Sequence, residues 1–382
     1  MVWINLFLFA LVSAGYAALV IAAVNRIHGY PVSYRMLHWI RQGHDLVLVG
    51  IPLALVWFLG IQGPQLLRGG SWSQVSGLAT AVVGGGLSGL LIPLCSGIAR
   101  ALRRPPNAMV RSQSRIIDVA AELGYRPVGK GPYQSMIRIP FNQIFELEVA
   151  EKEFRLERLP AAWKGLKIVH LSDFHFIGTV DRAYFEYAID RARELKGDIV
   201  VFTGDLLDRQ SLIEWLPATL GRIEAPLGKY FILGNHDWYL DPAEMRAAMK
   251  ELGWQDVAGR TVVIEREGSP LVIAGTEMPW MGTHPSFEGT PEHAFRLLLS
   301  HTPDNIGWAR QQRVDLMLSG HNHGGQVKLP LIGPVYSPSK YGCRYAEGLF
   351  WQPPTLMYVS RGLAGKHPWR WASRPEIGVI RL

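Results

Sequence analysis

Five short runs in this chain end in side chains that bind metals. Leu166–Leu171 is β-like and is followed by Ser172-Asp173-Phe174-His175, where alternation puts Asp173 and His175 on one side of the chain. Asp198–Thr203, apolar and β-branched, ends in Gly204-Asp205-Leu206-Leu207-Asp208. Tyr230–Leu233 runs into Gly234-Asn235-His236-Asp237, Phe295–Leu299 into Ser300-His301, and Asp315–Leu318 into Ser319-Gly320-His321-Asn322-His323. Taken singly, each has a bland reading, since Asn and Asp cap helices and Gly-Asn is a turn. Five in one order, each after an apolar β run, point to loops gathered at one edge of a sheet. Cys95 and Cys343 are the only cysteines and lie far apart in sequence, which argues against a Cys-based zinc site and a disulfide framework.

The elements that must carry these loops read as α/β. A helical pattern covers Asp181–Leu195. Thr261–Glu265 and Leu271–Ala274, joined across Gly268-Ser269, read as an antiparallel hairpin, so the sheet is mixed. The N-terminal third is different. Val2–Val24, Leu46–Gln62 and Val75–Ala99 are apolar and uncharged, and each is long enough to span a bilayer. Met1–Asn5 has no Lys or Arg and the run behind it is too long for a cleaved signal peptide. The expected organisation is a transmembrane anchor over 1–100, a juxtamembrane connector over 101–160 and a soluble α/β domain over 161–382. Within the connector, Ser112–Leu123 reads as a short amphipathic helix and Tyr125–Pro140 as irregular chain, either on the membrane or against the domain.

The formal charge is +7. Its basic residues cluster beside the apolar runs: Arg26, Arg35 and Arg41 after the first, and Arg100, Arg103, Arg104, Arg111 and Arg115 after the third, with Arg68 alone after the second. That pattern indicates a membrane surface rather than nucleic acid. It also implies an inner-membrane, multi-pass chain with its N-terminus outside and its C-terminal part in the cytoplasm. No charge sits mid-span, which disfavours an ion or proton path.

The blocks Asp173-x-His175, Gly204-Asp205-x-x-Asp208, Gly234-Asn235-His236-Asp237, His301 and Gly320-His321-x-His323 resemble the five signature blocks of the calcineurin-like metallophosphoesterase superfamily, over about residues 166–382. The run Gly320–Gln326, with Val359-Ser360-Arg361-Gly362-Leu363 and Pro375-Glu376-Ile377, is similar to a bacterial branch with membrane-associated members. Some of these hydrolyse UDP-2,3-diacylglucosamine in lipid A synthesis. The resemblance implies two facing mixed β-sheets flanked by helices and a centre of two divalent ions. One ion would be held by Asp173, His175, Asp205 and His323, the other by Asp205, Asn235, His301 and His321, with Asp205 bridging. His236 would protonate the leaving oxygen with Asp237 orienting it, and Asp208 would support a ligand or a helix start. A His, Asp and Asn set suits manganese, iron, cobalt or zinc, with manganese favoured. Arg361 and His367 are expected at phosphate. Gly275-Thr276-Glu277-Met278-Pro279 departs from the Asp-containing turn of that branch, which leaves substrate contacts there open. Of the remaining histidines, His170 is expected packed inside a strand, and His284 and His293 at the surface.

The function these features imply is a membrane-anchored phosphohydrolase acting on a phosphodiester or pyrophosphate bond. Its partners would be membrane lipids and a phosphate-containing small molecule or nucleotide-linked lipid; no nucleic acid is expected. Alternatives are a phosphomonoesterase or cyclic-nucleotide phosphodiesterase on soluble substrates, or a non-catalytic scaffold. A missing ligand would favour the scaffold, and no ligand is missing.

Overall fold

A computed structural model describes residues 1–382, the side chain of Tyr34 excepted. The chain divides into two compact units: Met1–Arg103 with Leu329–Arg344, and Arg104–Lys328 with Tyr345–Leu382.

In the first unit the apolar runs are helical: α1 (Val2–Ile27), α2 (Tyr34–Ala54, prolonged by a π-helical stretch, Leu55–Gln62), α3 (Gly77–Gly89) and α4 (Leu91–Ala101). They make three helices long and apolar enough to cross a membrane. The second starts earlier than the uncharged run at Leu46, because Ser33 caps it by accepting from the Met36 N–H and draws Arg35, Arg41 and Asp45 into its first turns. Phe9, Val12, Leu55, Leu59 and Val83 are buried together, while Trp3, Phe7, Leu53, Leu78 and Leu94 face outward. Such faces suit hydrocarbon. In that solvent it is close packing that holds helices together. Here α1 and α3 meet backbone to backbone: a Cβ on Gly15 would run into the Gly86 carbonyl, and one on Gly89 into that of Gly15.

The second unit is layered. One sheet has the order β1 (Met109–Asp118), β2 (Glu146–Phe154), β15 (Glu376–Arg381), β3 (Lys167–Leu171), β4 (Ile199–Thr203), β5 (Lys229–Ile232), β6 (Gln255–Asp256). The other runs β13 (Gly348–Gln352), β14 (Thr355–Val359), β10 (Leu316–Ser319), β9 (Phe295–Ser300), β8 (Ser269–Thr276), β7 (Thr261–Arg266). A small ribbon, β11 (Lys328–Leu329) with β12 (Gly333–Pro334), belongs to neither sheet and opens the Leu329–Arg344 segment of the first unit. Strand residues alternate between two apolar interiors. Ile168, Ile199, Val201 and Ile232 meet Ile273, Leu297, Leu299 and Leu318 between the sheets. Val169, Val200, Phe202 and Phe231 face Phe185 and Ile189 of α7 (Arg182–Glu194) and Met245 and Met249 of α9 (Pro242–Glu251). On the far side, Val272, Leu298, Met317 and Met357 pack with Ile306 and Ala309 of α10 (Ile306–Gln311). Burial on both faces is why these strands read as continuous apolar runs. The hairpin β7–β8 forms as expected, turning through Glu267 and Gly268 at φ 51° and 71°.

The expected connector is corrected. Ser112–Asp118 is strand, not helix: β1 pairs antiparallel with β2 from Met109↔Phe154 to Asp118↔Glu146, and β2 lies beside β15. Only Val119–Leu123 (α5) is helical there, with a further single turn, α6 (Gln134–Ile137), in the stretch taken as irregular. β1 is an exposed edge strand with almost no apolar alternation, and long-range pairing overrides the local helical spacing.

Gly15→Ala should destabilise the helical unit by at least about 1 kcal/mol, a few degrees of melting temperature in detergent. Gly84→Ala, which faces open space, should leave the melting temperature unchanged. Equal melting of the two variants would show that the α1–α3 contact does not hold the unit together.

Candidate metal centre

β3, β4 and β5 are parallel neighbours in one sheet, and β9, β10 and β14 in the other. Their C-terminal ends therefore deliver the five polar blocks to a common edge. Asp173, His175, Asp205 and His323 offer ligand atoms within 4.8 Å of one another, and so do Asp205, His301 and His321. In the first group the His175 and His323 Nε2 atoms face each other at 3.1 Å, and Asp205 Oδ2 is 3.4 Å from His175 Nε2. In the second, His301 Nε2 lies 3.2 Å from the same Asp205 oxygen, 3.0 Å from Asn235 Oδ1 and 3.1 Å from His321 Nδ1. All seven side chains expected as ligands thus converge, and the two groups share Asp205.

The local backbone is bent to achieve this. Asp173, His175, Asp205, His321 and His323 all have positive φ, between 46° and 71°, a conformation that costs L-residues of order 1 kcal/mol each and persists where its surroundings enforce it. Gly204, at φ 98°, has no room for a Cβ, which would sit 2.7 Å from both Gly234 N and His301 Nδ1.

Charge makes the demand for cations plain. Burial alone would raise the Asp205 pKa, but His301, His236 and His175 outweigh it and hold the carboxyl well below its ordinary range. Burial raises Asp173. Burial works against charge on His301 too, yet Asp205 pushes it up to about 9. Asp205 Oδ2 is buried and has no hydrogen-bond partner among the described residues. A carboxylate oxygen left orphaned between two imidazole nitrogens fits a cation on either side. The far nitrogens are steadied: His301 Nδ1 is 2.7 Å from the Thr203 carbonyl and His175 Nδ1 2.9 Å from Asp208 Oδ2.

The partner expected for His236 is corrected. His236 Nδ1 sits 2.5 Å from Asp208 Oδ1, not against Asp237. Against the cost of burial, Asp208 and then Asp205 raise His236 to about 9. Asp237 turns inward, accepting from the Leu206, Leu207 and Gly234 N–H groups. Sequence adjacency suggested Asp237, but the one-turn helix α8 (Asn235–Trp238) points the two side chains apart. Asp208 therefore holds both His175 and His236.

Arg361 is also corrected. Its guanidinium is engaged by Glu376 of β15 at 2.5 Å and Glu148 of β2 at 2.9 Å, with Glu347 at 3.9 Å, so it braces neighbouring strands rather than awaiting phosphate. His367 stacks near Tyr133, ring centroids 4.7 Å apart. His170 is fully buried, as expected, and burial lowers it to about 3. His284 stacks on Trp308 at 4.2 Å, and His293 is exposed. The departing Glu277 is structural: it accepts from the Leu233 N–H at 2.6 Å and pairs with Arg246, propping the strand end before Asn235. Two residues escape sequence reasoning. Arg370, fully buried, donates to the Arg361 and His323 carbonyls at 2.8 and 3.2 Å and lies 3.3 Å from His323 Nδ1. Lys366 is close enough to His236 to oppose its charge. Neither belongs to a recognisable motif.

Asp205→Asn should lose both ions, read as metal content, and fall below about a tenth of wild-type turnover. His236→Ala should keep its metal and lose roughly a hundredfold on substrates with poor leaving groups, much less on nitrophenyl esters. Asp208→Asn, which loosens His175 as well, should weaken metal affinity about 10- to 100-fold in addition. Full metal content in Asp208→Asn, or an equal loss on both ester types in His236→Ala, would remove the roles given to these residues.

The same conclusion comes from relatives. The calcineurin-like phosphoesterase family model matches residues 166–325. The chain is 33% identical over 246 residues to the uncharacterized metallophosphoesterase YkuE of Bacillus subtilis, covering 62% of this chain and 85% of that protein. It is 32% identical over 255 residues to a transmembrane protein with metallophosphoesterase domain from Danio rerio, covering 62% of this chain and 57% of that one. It is 26% identical over 298 residues to the UDP-2,3-diacylglucosamine pyrophosphatase LpxG of Chlamydia muridarum, covering 62% and 89%. With its signature side chains gathered at one sheet edge, this chain belongs to the calcineurin-like phosphoesterases and is a metal-dependent enzyme of phosphate-containing substrates.

Proposed function

We propose that this chain is a membrane-anchored phosphohydrolase with two divalent ions, cleaving a pyrophosphate or phosphodiester bond in a nucleotide-linked lipid at the inner face of the cell membrane. The observation that carries it is one polypeptide holding both the Asp205-centred pair of ligand groups and three helices apolar enough to span a bilayer. The arginine bias of the loops supports a cytoplasmic catalytic domain. The thiolate-free ligand set supports manganese, and the likeness to LpxG supports a UDP-2,3-diacylglucosamine-like substrate.

In this scheme Asp173, His175, Asp205 and His323 hold one ion, and Asp205, Asn235, His301 and His321 the other. Two such ions would supply positive charge for the phosphoryl oxygens and would lower the pKa of water at the site. His236 gives its proton to the leaving oxygen. Asp208 keeps that proton in place, holding the Nδ1 side of the ring so that Nε2 is the donor. Anchoring raises the local concentration of lipid headgroups at the site.

The test is hydrolysis by metal-reconstituted protein of UDP-2,3-diacylglucosamine against its deacylated counterpart. The acylated form should be preferred by about a hundredfold or more, since each buried CH₂ contributes about 0.8 kcal/mol. Equal rates, or fast turnover of cyclic nucleotides with neither UDP compound cleaved, would overturn the lipid substrate and leave an enzyme of soluble phosphates.

A further inference from the structure

Leu329–Arg344 lies in sequence between the His321/His323 loop and β13, yet it folds with the apolar helices. It is strapped down at two helix ends. Asn25, buried near the end of α1, donates to the Val335 carbonyl at 3.0 Å and accepts from the Ser337 N–H at 3.1 Å. Arg100, near the end of α4, donates to the Ile332 carbonyl. At Gly97 the α4 backbone comes close to the Leu331 carbonyl, where a Cβ would sit 2.9 Å away. The strap's backbone is thus tied inward, and its tip side chain goes the other way: Leu331 is 99% exposed, at φ 64°. A left-handed conformation is strained for a leucine, and this one gains no burial inside the protein in return.

The charge around the strap has one sign. Asp45 is the sole acidic residue in Met1–Arg103 and Leu329–Arg344. Against it, Arg26 closes on Gly342, and Arg41 bonds the Tyr336 hydroxyl. Lys340 Nζ lies 5.2 Å from the centroid of the Tyr30 ring, and Arg344 is exposed. Cys343 sits among them: burial pushes its thiol up to about 11 while Arg100 and Arg26 pull it back. Tyr30, Tyr336 and Tyr341 are exposed in the same segment pair. Tyrosine rings with arginine and lysine at the ends of apolar helices form the pattern of a lipid headgroup layer.

We propose that this strap is an interfacial lipid-binding element: Leu331 enters the acyl region, and Arg26, Arg41, Lys340 and Arg344 hold the phosphates of anionic phospholipids in the surrounding bilayer. The proposal rests on the membrane-spanning part of the functional reading and is independent of the substrate. It adds a second membrane contact in the very segment that follows the ligand-bearing loop. The strap meets the end of α1 and the end of α4, and three crossings put those two ends on the same side.

The test is site-directed spin labelling of the full chain in nanodiscs of phosphatidylcholine and phosphatidylglycerol, with both native cysteines replaced by serine. A label at Leu331→Cys should be relaxed more by oxygen than by a water-soluble nickel chelate, as should one at Leu94→Cys on the exposed face of α4. Nickel-dominated relaxation at 331 with oxygen-dominated relaxation at 94 would overturn the strap and leave the spans standing. Nickel-dominated relaxation at both would overturn the spans as well. Spin-labelled phosphatidylglycerol should be immobilised over phosphatidylcholine by about fivefold, the equivalent of roughly 1 kcal/mol. Arg26→Gln/Lys340→Gln/Arg344→Gln should bring that ratio towards one. An unchanged ratio, or no preference in the unsubstituted chain, would overturn the headgroup contact.

Discussion

Two buried carboxylates, Asp173 and Asp205, stand within one cluster of ligand atoms, and among the described residues no lysine or arginine forms an ion pair with either. Most of the catalytic unit can be understood as the means of holding that repulsion in place until cations relieve it. Ionised groups in a low-dielectric interior need opposite charge close by, and what surrounds these two is chiefly imidazole, with the buried Arg370 near enough to Asp173 for their charges to interact. Asp205 in turn favours the protonated form of His301, raising it to about 9 against the cost of burial. That proton must leave when metal enters. The bent backbone at five of the seven candidate ligands is a cost of the same kind, tolerated because two sheets with apolar interiors over-determine the loops that bear it.

Much of this centre was legible in the chain because ligand chemistry is local. Asp173-x-His175 and His321-x-His323 sit just past strand ends, and the strands announce themselves as apolar runs since both of their faces are buried. What was not legible depends on direction and distance. Asp237 is next to His236 in sequence, yet Asp208, a strand away, makes the contact. Arg361 looked available for phosphate because the carboxylates that occupy it, Glu148, Glu347 and Glu376, come from three separate places in the chain. β1 was hidden for a related reason. An edge strand exposed on nearly every residue has no burial pattern to display, and its partner β2 is known only once the sheet exists.

The helical unit follows a different logic. Its α1–α3 crossing is set by glycines whose backbones approach closely, beside the apolar cluster of Phe9, Val12 and Val83, as expected where lipid tails are as apolar as leucine. Its length and hydropathy were plain in the sequence. The strap was not: Leu329–Arg344 is short, irregular and rich in proline, and nothing in its composition says which half of the molecule it joins.

The strap also changes what can be cut away. The polypeptide passes between the units at 103/104, at 328/329 and again at 344/345. A protease acting once between the last helix and β1 would leave the catalytic unit still moored through the strap, so nicking there does not shed a soluble enzyme. For the same reason a fragment starting at residue 104 is not a clean domain. It carries sixteen residues stripped of their seat, with Leu331 and its neighbours bare to water on a short excursion from the ligand loop. Aggregation of such a fragment would reflect that torn-out segment rather than any weakness of the two-sheet core.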